Sequence, residues 1–526
     1  MNATAQTWAW KERPTGVQGW WRAGAGGSGL GAGDSGPGAR DSATTHAAAH
    51  ATGNVVAFRA LVAFTIILLI SPQAWFPVLA PLRIAFLAAS LAIGAYLFDR
   101  IVRRDSTPPF NAEIALALLL VSWAVVTVPV SYWAGGSVEV LTDQYIKAVA
   151  FFWLVGTLAT TAHRLRVLAW TLALCAIPLA ATGIKNYAAG ELLQTSVPGL
   201  TRIAGYSYSG GSGLVANPND LALMLNLILP IAVALMFGSR RPGVKLVAGL
   251  SALLSVAGVV VTFSRAGFLT LAAIAVMLFV VLLRRRAPGA AAALLVLALA
   301  APVLVPAAYV DRLSTITDIE ADRTGSAQGR WQDFLVATEV VAHNPIVGVG
   351  IGQDILALNA QRGEQTWRSV HNAYLQYAVD LGLPGLLLFV CLHVMCFRTA
   401  RRVERVAARE PALAHLGPLA AGIQISLVAF FVAAMFHPIA YQFYFFTIAG
   451  LAVALKNTCR TEAAALIASE AEPQAGERVR FATSKLGSAS LATVSSARAP
   501  RGRAVSTGEH AAHSSASQPV KTARQS

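Results

Sequence analysis

Apolar runs of membrane-crossing length, separated by short clusters of arginine and lysine, recur through most of this chain, and that alternation rules out a soluble fold. Runs cover residues 55–70, 79–98, 112–130, 144–161, 165–181 and 220–238; a seventh ends at Thr262–Gly267, and an eighth stops at Arg284, Arg285 and Arg286. Others follow over 291–310, from Ala373, over 413–436 and over 443–455. A helix needs roughly 20 apolar residues to cross hydrocarbon, so each run is close to sufficient. Basic groups gather at Arg100–Arg104, His163–Arg166, Arg240–Lys245, Arg284–Arg286 and Arg398–Arg409, and the intervening connections are poor in Lys and Arg. Such alternation predicts an all-α polytopic membrane protein of about 12 transmembrane helices, with both termini on the cytoplasmic side.

Composition agrees: 55% of the residues are hydrophobic and only 13% charged, too apolar and too uncharged for a soluble domain. A net charge of +15 would suggest nucleic acid in a soluble chain. Here much of it lies in short loops and the tail, which fits anionic lipid headgroups of the bilayer instead. Cys175, Cys391, Cys396 and Cys459 have no CxxC spacing and imply neither a disulfide framework nor a metal site. Residues 1–54, rich in Gly, Ala and Ser, read as a disordered cytoplasmic leader, and residues 456–526 as a disordered basic tail. Between them lies a transmembrane domain over 55–455, whose largest outward loop is 311–372. No internal repeat is evident, which weighs against a transporter built from duplicated halves.

Chemistry concentrates on the outward connections. Arg265 interrupts an apolar hairpin on the side where arginine is disfavoured, and a cation at the hydrocarbon edge is usually snorkelling, paired or functional. Arg330, Arg202 and the turn Asn217–Pro218–Asn219–Asp220 lie on the same side, as does His371. Arginine suits diphosphate because its planar fork is bidentate and keeps its charge. Neutral imidazole suits proton acceptance from a hydroxyl, although an interfacial histidine such as His371 also commonly just caps a helix. Arg330 beside Trp331 has a solvated or stacked alternative. Trp331, Phe334, Leu335, Thr338 and Val341 recur at helical spacing, predicting a short amphipathic helix with that face lying on something. Pro345 ends the helix, with His343 and Asn344 as its caps. The GVGIG at 348–352 lacks a preceding strand and reads as a turn rather than a nucleotide loop. His437, in the last short outward loop, is within reach of the site, but a loop histidine is more often structural. No DxD or His/Asp cluster suggests a metal, and no cofactor is called for.

Two motifs carry a family resemblance. Gly329-Arg330-Trp331, then HNPIVGVGIG at 343–352, then SVHNAYLQYAVDLGLPGLL at 369–387 resemble the signature segment of the O-antigen ligase and Wzy polymerase superfamily. Thr262–Gly267 (TFSRAG) resembles that family's earlier T-x-S-R-[GA]-G turn, and Asn217–Asp220 also fits. The chain departs from the pattern in its long leader and tail, and in Arg330 directly preceding Trp331. The resemblance implies a GT-C-like glycosyltransferase that moves a glycan from an undecaprenyl-diphosphate carrier to an acceptor hydroxyl on the periplasmic face, without a metal and with inversion. Arg265 and Arg330 would hold the leaving diphosphate and His371 would be the general base, with Arg202, Asn217, Asn219, Trp331 and Asn372 as substrate-binding residues. The acceptor would be a saccharide, a lipid A core or a protein, so lipopolysaccharide ligase and exopolysaccharide polymerase both remain open. The rival class is a polysaccharide flippase or other secondary transporter, in which charged residues would sit at mid-membrane depth.

Overall fold

The computed structural model describes residues 55–103, 111–190, 192–194, 201–203, 217–304, 309, 313, 326–363 and 367–492; the predicted leader and most of the loop before residue 326 fall outside them. The chain divides into two units, 1–464 and 465–526, and of the second residues 465–492 are helical. Among the described residues the larger unit is helical apart from its connecting turns and one two-stranded ribbon. Its helices are α1 (Val55–Ile70), α2 (Ile84–Arg103), α3 (Ala112–Thr127), α4 (Ala134–Val140), α5 (Ile146–Leu158) and α6 (Ala162–Ala188). The ribbon pairs β1 (Leu192–Gln194) with β2 (Thr201–Ile203). Then come α7 (Pro218–Gly238), α8 (Pro242–Val261), α9 (Arg265–Arg284), α10 (Pro288–Leu304), α11 (Ser326–His343), α12 (Asp354–Arg362), α13 (Ala373–Arg409), α14 (Gly417–Ala434) and α15 (Phe443–Ala492).

Eight described helical stretches are long and apolar enough to cross a membrane, so the protein is polytopic. Each of the other four predicted runs is helical as well, but α1, α5 and α10 are shorter, and α15 meets Lys456 and Arg460 soon after its apolar start. In lipid every backbone polar group must find its partner within the protein, which is why the crossing segments are helices. Burial separates the lipid-facing helices from the central ones. Only 6% of the apolar stretch ending in α2 is buried, against 78% for α7, which packs against α6, α8, α9 and α14. Small side chains and short polar ones hold those contacts, as is usual where oil surrounds the bundle. Asn226 in the middle of α7 donates to the Gly267 carbonyl at 3.0 Å, and Ser426 of α14 donates to the Leu227 carbonyl at 2.7 Å.

The GVGIG segment is a brace for a broken helix. Within α13, Gly382 adopts φ 68° and ψ −176°, and Pro384 has no N–H to give. The carbonyls freed by that break are taken up from outside the helix. Val349 N–H donates to the Val379 carbonyl and Gly350 N–H to that of Asp380, both at 2.9 Å, and the Leu383 amide turns to Pro345 at 2.8 Å. The Trp123 indole completes the set on the Leu381 carbonyl at 2.8 Å. Irregular backbone is tolerated at such depth only where protein covers it in this way. Gly348 (φ +69°) shows how little room is left, because a Cβ there would stand 2.5 Å from the Asp380 carbonyl. Gly348→Ala is therefore expected to cost about 2–3 kcal/mol, read as a lowered thermal midpoint in detergent. Gly363→Ala is the control, since it has a similar φ of +66° but nothing within 4 Å and bears only the ~1 kcal/mol backbone cost. Equal midpoints for the two variants would remove the steric argument.

At the C-terminal end the apolar run stops at Leu455 but the helix does not. Residues from Lys456 onward were expected to be disordered, yet α15 runs on to Ala492, and Lys456, Asn457, Thr458 and Cys459 are all buried. Lys456 pairs with the buried Glu113 at the start of α3, and Asn457 donates to the Gly156 carbonyl at 2.8 Å. Partnered polar groups, rather than apolar ones, carry the helix past the end of the hydropathic run.

Candidate functional site

Two helix starts meet at one end of the bundle. Asn217 caps α7, its side-chain oxygen accepting from the Asn219 and Asp220 amides at 2.8 and 3.0 Å, while its amide donates to the Asp220 carboxylate. Pro218 occupies the first helical position, where its missing N–H costs nothing. Ser264 caps α9 in the same manner, accepting from the Gly267 amide at 3.2 Å. Its hydroxyl donates to Asn219 Oδ1 at 2.9 Å, joining the two starts. Phe263 takes φ 53° in this turn, and its ring packs against Tyr187 and Tyr309 at centroid distances of 5.8 and 5.2 Å. The Tyr309 hydroxyl donates to the Ser264 carbonyl at 2.8 Å. Arg265 follows directly, half-buried at the first position of α9. Arg202 lies on β2 opposite Leu193.

Helix α11 reverses one expectation. Trp331, Phe334 and Leu335 are 59%, 39% and 50% exposed, and Thr338 is exposed too. The face that packs is the one bearing Asp333, Ala337 and Val340, which joins Val349, Ala357, Leu358 and Val370 in a small core. Helical spacing identified a stripe but not which stripe the fold would bury, because the carboxylate of Asp333 goes inward to meet arginines. It pairs with Arg362 at the end of α12 and with Arg368 at 3.3 Å. The Trp331 and Phe334 rings stack on one another, 5.5 Å apart and 7° from parallel. At the helix end, His343 Nδ1 lies 3.0 Å from the Glu339 carbonyl and Asn344 donates to that of Val340 at 3.2 Å. These two residues finish the helix as their place before Pro345 implies.

His371 stands where these parts converge. It is half-buried, and its Nδ1 has no hydrogen-bond partner among the described residues. Burial, then the charge of Arg330, push its pKa below the usual histidine value, with Asp333 pulling the other way. Arg330, Asp333, Arg368 and His371 are therefore close enough to share one electrostatic environment. His437, in the turn between α14 and α15, belongs to it as well. It is 4% exposed, with Nδ1 2.8 Å from the Ala433 carbonyl, and burial brings its pKa down to about 4; a bond to the Asn219 backbone opposes the shift, while Arg330 and His371 reinforce it. Both imidazoles are accordingly neutral near pH 7. Through Asn219, His437 connects the His371 side of the cluster to the Ser264–Arg265 turn.

The structure thus brings Asn219, Ser264, Arg330, His371 and His437 into one linked neighbourhood, with Arg265 beside Ser264. It uses Asn217 and Asn372 as helix caps: the Asn372 oxygen accepts from the Tyr374 and Leu375 amides at 3.0 and 3.1 Å. Asp333, Asp354, Arg362 and Arg368 were not singled out in the sequence. The signal available was the i, i+3 spacing of Arg330 and Asp333, which puts both near one face of α11. Among the described residues no group of three or more His, Cys, Asp or Glu is placed to hold a metal ion. What the arrangement offers chemically is a half-buried imidazole whose charged form burial and the Arg330 charge disfavour, suited to taking a proton from a hydroxyl. Residues 250–390, which take in Arg265, Arg330 and His371, match the family model of O-antigen ligase. No curated protein matches the chain.

Proposed function

We propose, with support from the match of residues 250–390 to the O-antigen ligase family model, that the protein transfers a glycan from an undecaprenyl-diphosphate carrier to an acceptor hydroxyl. The observation that carries this reading is the placement of a neutral His371 beside Arg330, with Asn219 and the Arg265 turn connected to it through His437. In the reaction, His371 takes the proton of the acceptor hydroxyl as its oxygen attacks the anomeric carbon. The bond from that carbon to the diphosphate oxygen breaks from the opposite face, giving inversion, and the diphosphate leaves with the electron pair. Arg265 and Arg330 stabilise the charge that develops there. Guanidinium groups do here what a divalent cation does elsewhere, at fixed positions that need no reorganisation. Trp331, exposed next to Arg330, offers a flat apolar face to a sugar ring, and Arg202 a further cation to the donor. Twelve crossings, with both termini cytoplasmic and the site at the periplasmic face of the inner membrane, complete the reading and rest on the alternation of basic clusters.

The test is conversion of a polyprenyl-diphosphate-linked glycan by the purified protein in proteoliposomes, with saccharide, lipid A core and protein acceptors run in parallel, each with and without chelator. Wild type is expected to release carrier diphosphate. Arg265→Ala is expected to lose about 10²-fold or more of that rate, and Arg265→Lys to recover little of it, because a point charge replaces a bidentate fork. Full activity in Arg265→Ala would take that residue out of the site. Movement of intact donor across the bilayer without its consumption would instead identify a flippase.

A further inference from the structure

We propose that Asp354 is a positioning residue of this site: its buried side chain, latched to Ser369 and Val370, fixes where His371 stands relative to Arg330. The proposal rests on the reading of His371 as the base. Asp354 opens α12 and is 2% exposed. Its Oδ2 accepts two hydrogen bonds, from the Ser369 hydroxyl and from the Val370 amide at 3.0 Å. Val370 is itself 1% exposed in the core formed with Ala337, Val340 and Leu358. On the far side of His371, Asn372 is held as the cap of α13. His371 is therefore a single residue between two anchored neighbours, and only its side-chain torsions remain to be set.

The rest of α12 turns that local latch into a spacing device. Asn359, on the same short helix, accepts from the Trp367 amide at 3.0 Å, so the segment 367–370 is tied to α12 at both ends. Arg362, its last residue, pairs with Asp333, which lies one turn beyond Arg330 on α11. One nine-residue helix thus holds the histidine segment with its first residue and the arginine helix with its last. The distance between base and cation is set by a rigid element, and sub-ångström placement of this kind governs rate more than affinity. The other charged or titratable groups around His371 are Arg330 and Asp333 on α11, Arg368 on its own segment and His437 after α14. Asp354 acts on the backbone before His371, through Ser369 and Val370.

The experiment compares wild type, Asp354→Ala, Asp354→Asn and Ser369→Ala in proteoliposomes, with the polyprenyl-diphosphate-linked glycan as donor. Asp354→Ala is expected to lower kcat by about 10²-fold with the donor KM held within about twofold, since misplacement by an ångström costs that much. Asp354→Asn keeps an oxygen for the same two bonds and should restore kcat to within about fivefold of wild type; Ser369→Ala, which keeps the Val370 bond, should fall between. A second readout needs no turnover: carbethoxylation of His371, followed by peptide mass spectrometry, should be several-fold faster in Asp354→Ala than in wild type. Wild-type kcat and His371 reactivity in Asp354→Ala would overturn the latch. So would a kcat loss matched by an equal rise in KM, or one that Asn does not rescue. If Asp354→Ala does not fold, the Asn and Ser369→Ala variants decide by the same criteria. An inactive wild type with the expected reactivity difference would retain the latch and reject the base assignment instead.

Discussion

Replacing His371 with alanine is expected to slow glycan transfer by about 10²–10⁴-fold, the range that a positioned general base supplies, while undecaprenyl diphosphate still binds. The split follows from what each group does. In the proposed reaction guanidinium groups hold the donor before and during transfer, whereas the imidazole acts only as the acceptor proton leaves. Its environment also fixes the pH dependence. Burial and the Arg330 charge disfavour the imidazolium, so the folded pKa lies below the ordinary histidine value. The competent form is the neutral one, hence kcat/KM should hold on the alkaline side and fall with acidification through a limb below pH ~6.5. Removing the Arg330 charge should move that limb upward. The measurement is a pH series of initial rates for wild type, His371→Ala and Arg330→Gln. A His371→Ala enzyme retaining the acid limb, or an Arg330→Gln limb shifted downward, would assign the base elsewhere. His437 is the alternative such a result would point to, as a neutral imidazole in the same neighbourhood.

What the sequence made legible follows from how local each signal is. The apolar runs became helices because length and hydropathy are properties of a single segment. Arg265 and His371 stood out because each is a polar residue at the end of an apolar run and lies within a recognisable motif. Asn217 and Asn372, noticed as candidate binding residues, also cap helices, since a residue just before a helix is where its first amides need an acceptor. The buried face of α11 was not legible at all. Its apolar stripe of Trp331, Phe334 and Leu335 has the right spacing, yet the partners that draw the opposite face inward are Arg362 and Arg368, some thirty residues further on. GVGIG was read as a turn; that it braces α13 depends on Gly382 and Pro384 lying beside it in space. Long-range polar pairing is the component that periodicity cannot carry, and the Lys456–Glu113 pair is the clearest case.

Lys456→Met is expected to destabilise the protein by about 3–5 kcal/mol, more than any single apolar change at that end of the bundle, because it strands a buried carboxylate. The side chains of Lys456 and Glu113 are 5% and 3% exposed, and Glu113 also accepts from the Thr399 hydroxyl at 2.6 Å. Losing the ammonium leaves a buried carboxylate with only neutral hydrogen-bond donors, the Thr399 hydroxyl and its own backbone amide, and with Arg460 as the remaining nearby cation. The same physics predicts that the loss is largely reversed by removing the second charge. In Glu113→Gln with Lys456→Met, an amide oxygen still accepts from Thr399 and no ion remains, so the double variant should be more stable than either single one. A thermal unfolding series in detergent measures all four. Additive losses would mean the two side chains do not interact in the membrane-embedded protein. Truncation distinguishes the same idea from a general effect of shortening: removing residues 465–526 leaves the pair intact and should be tolerated, whereas removal from residue 456 takes away Lys456 and Asn457 together. In that case α3 and α5 each lose a partner, because Lys456 pairs with Glu113 of α3 and Asn457 bonds Gly156 of α5 and Asn111 before α3. The end of the apolar run at Leu455 is thus a boundary in hydropathy but not in the fold.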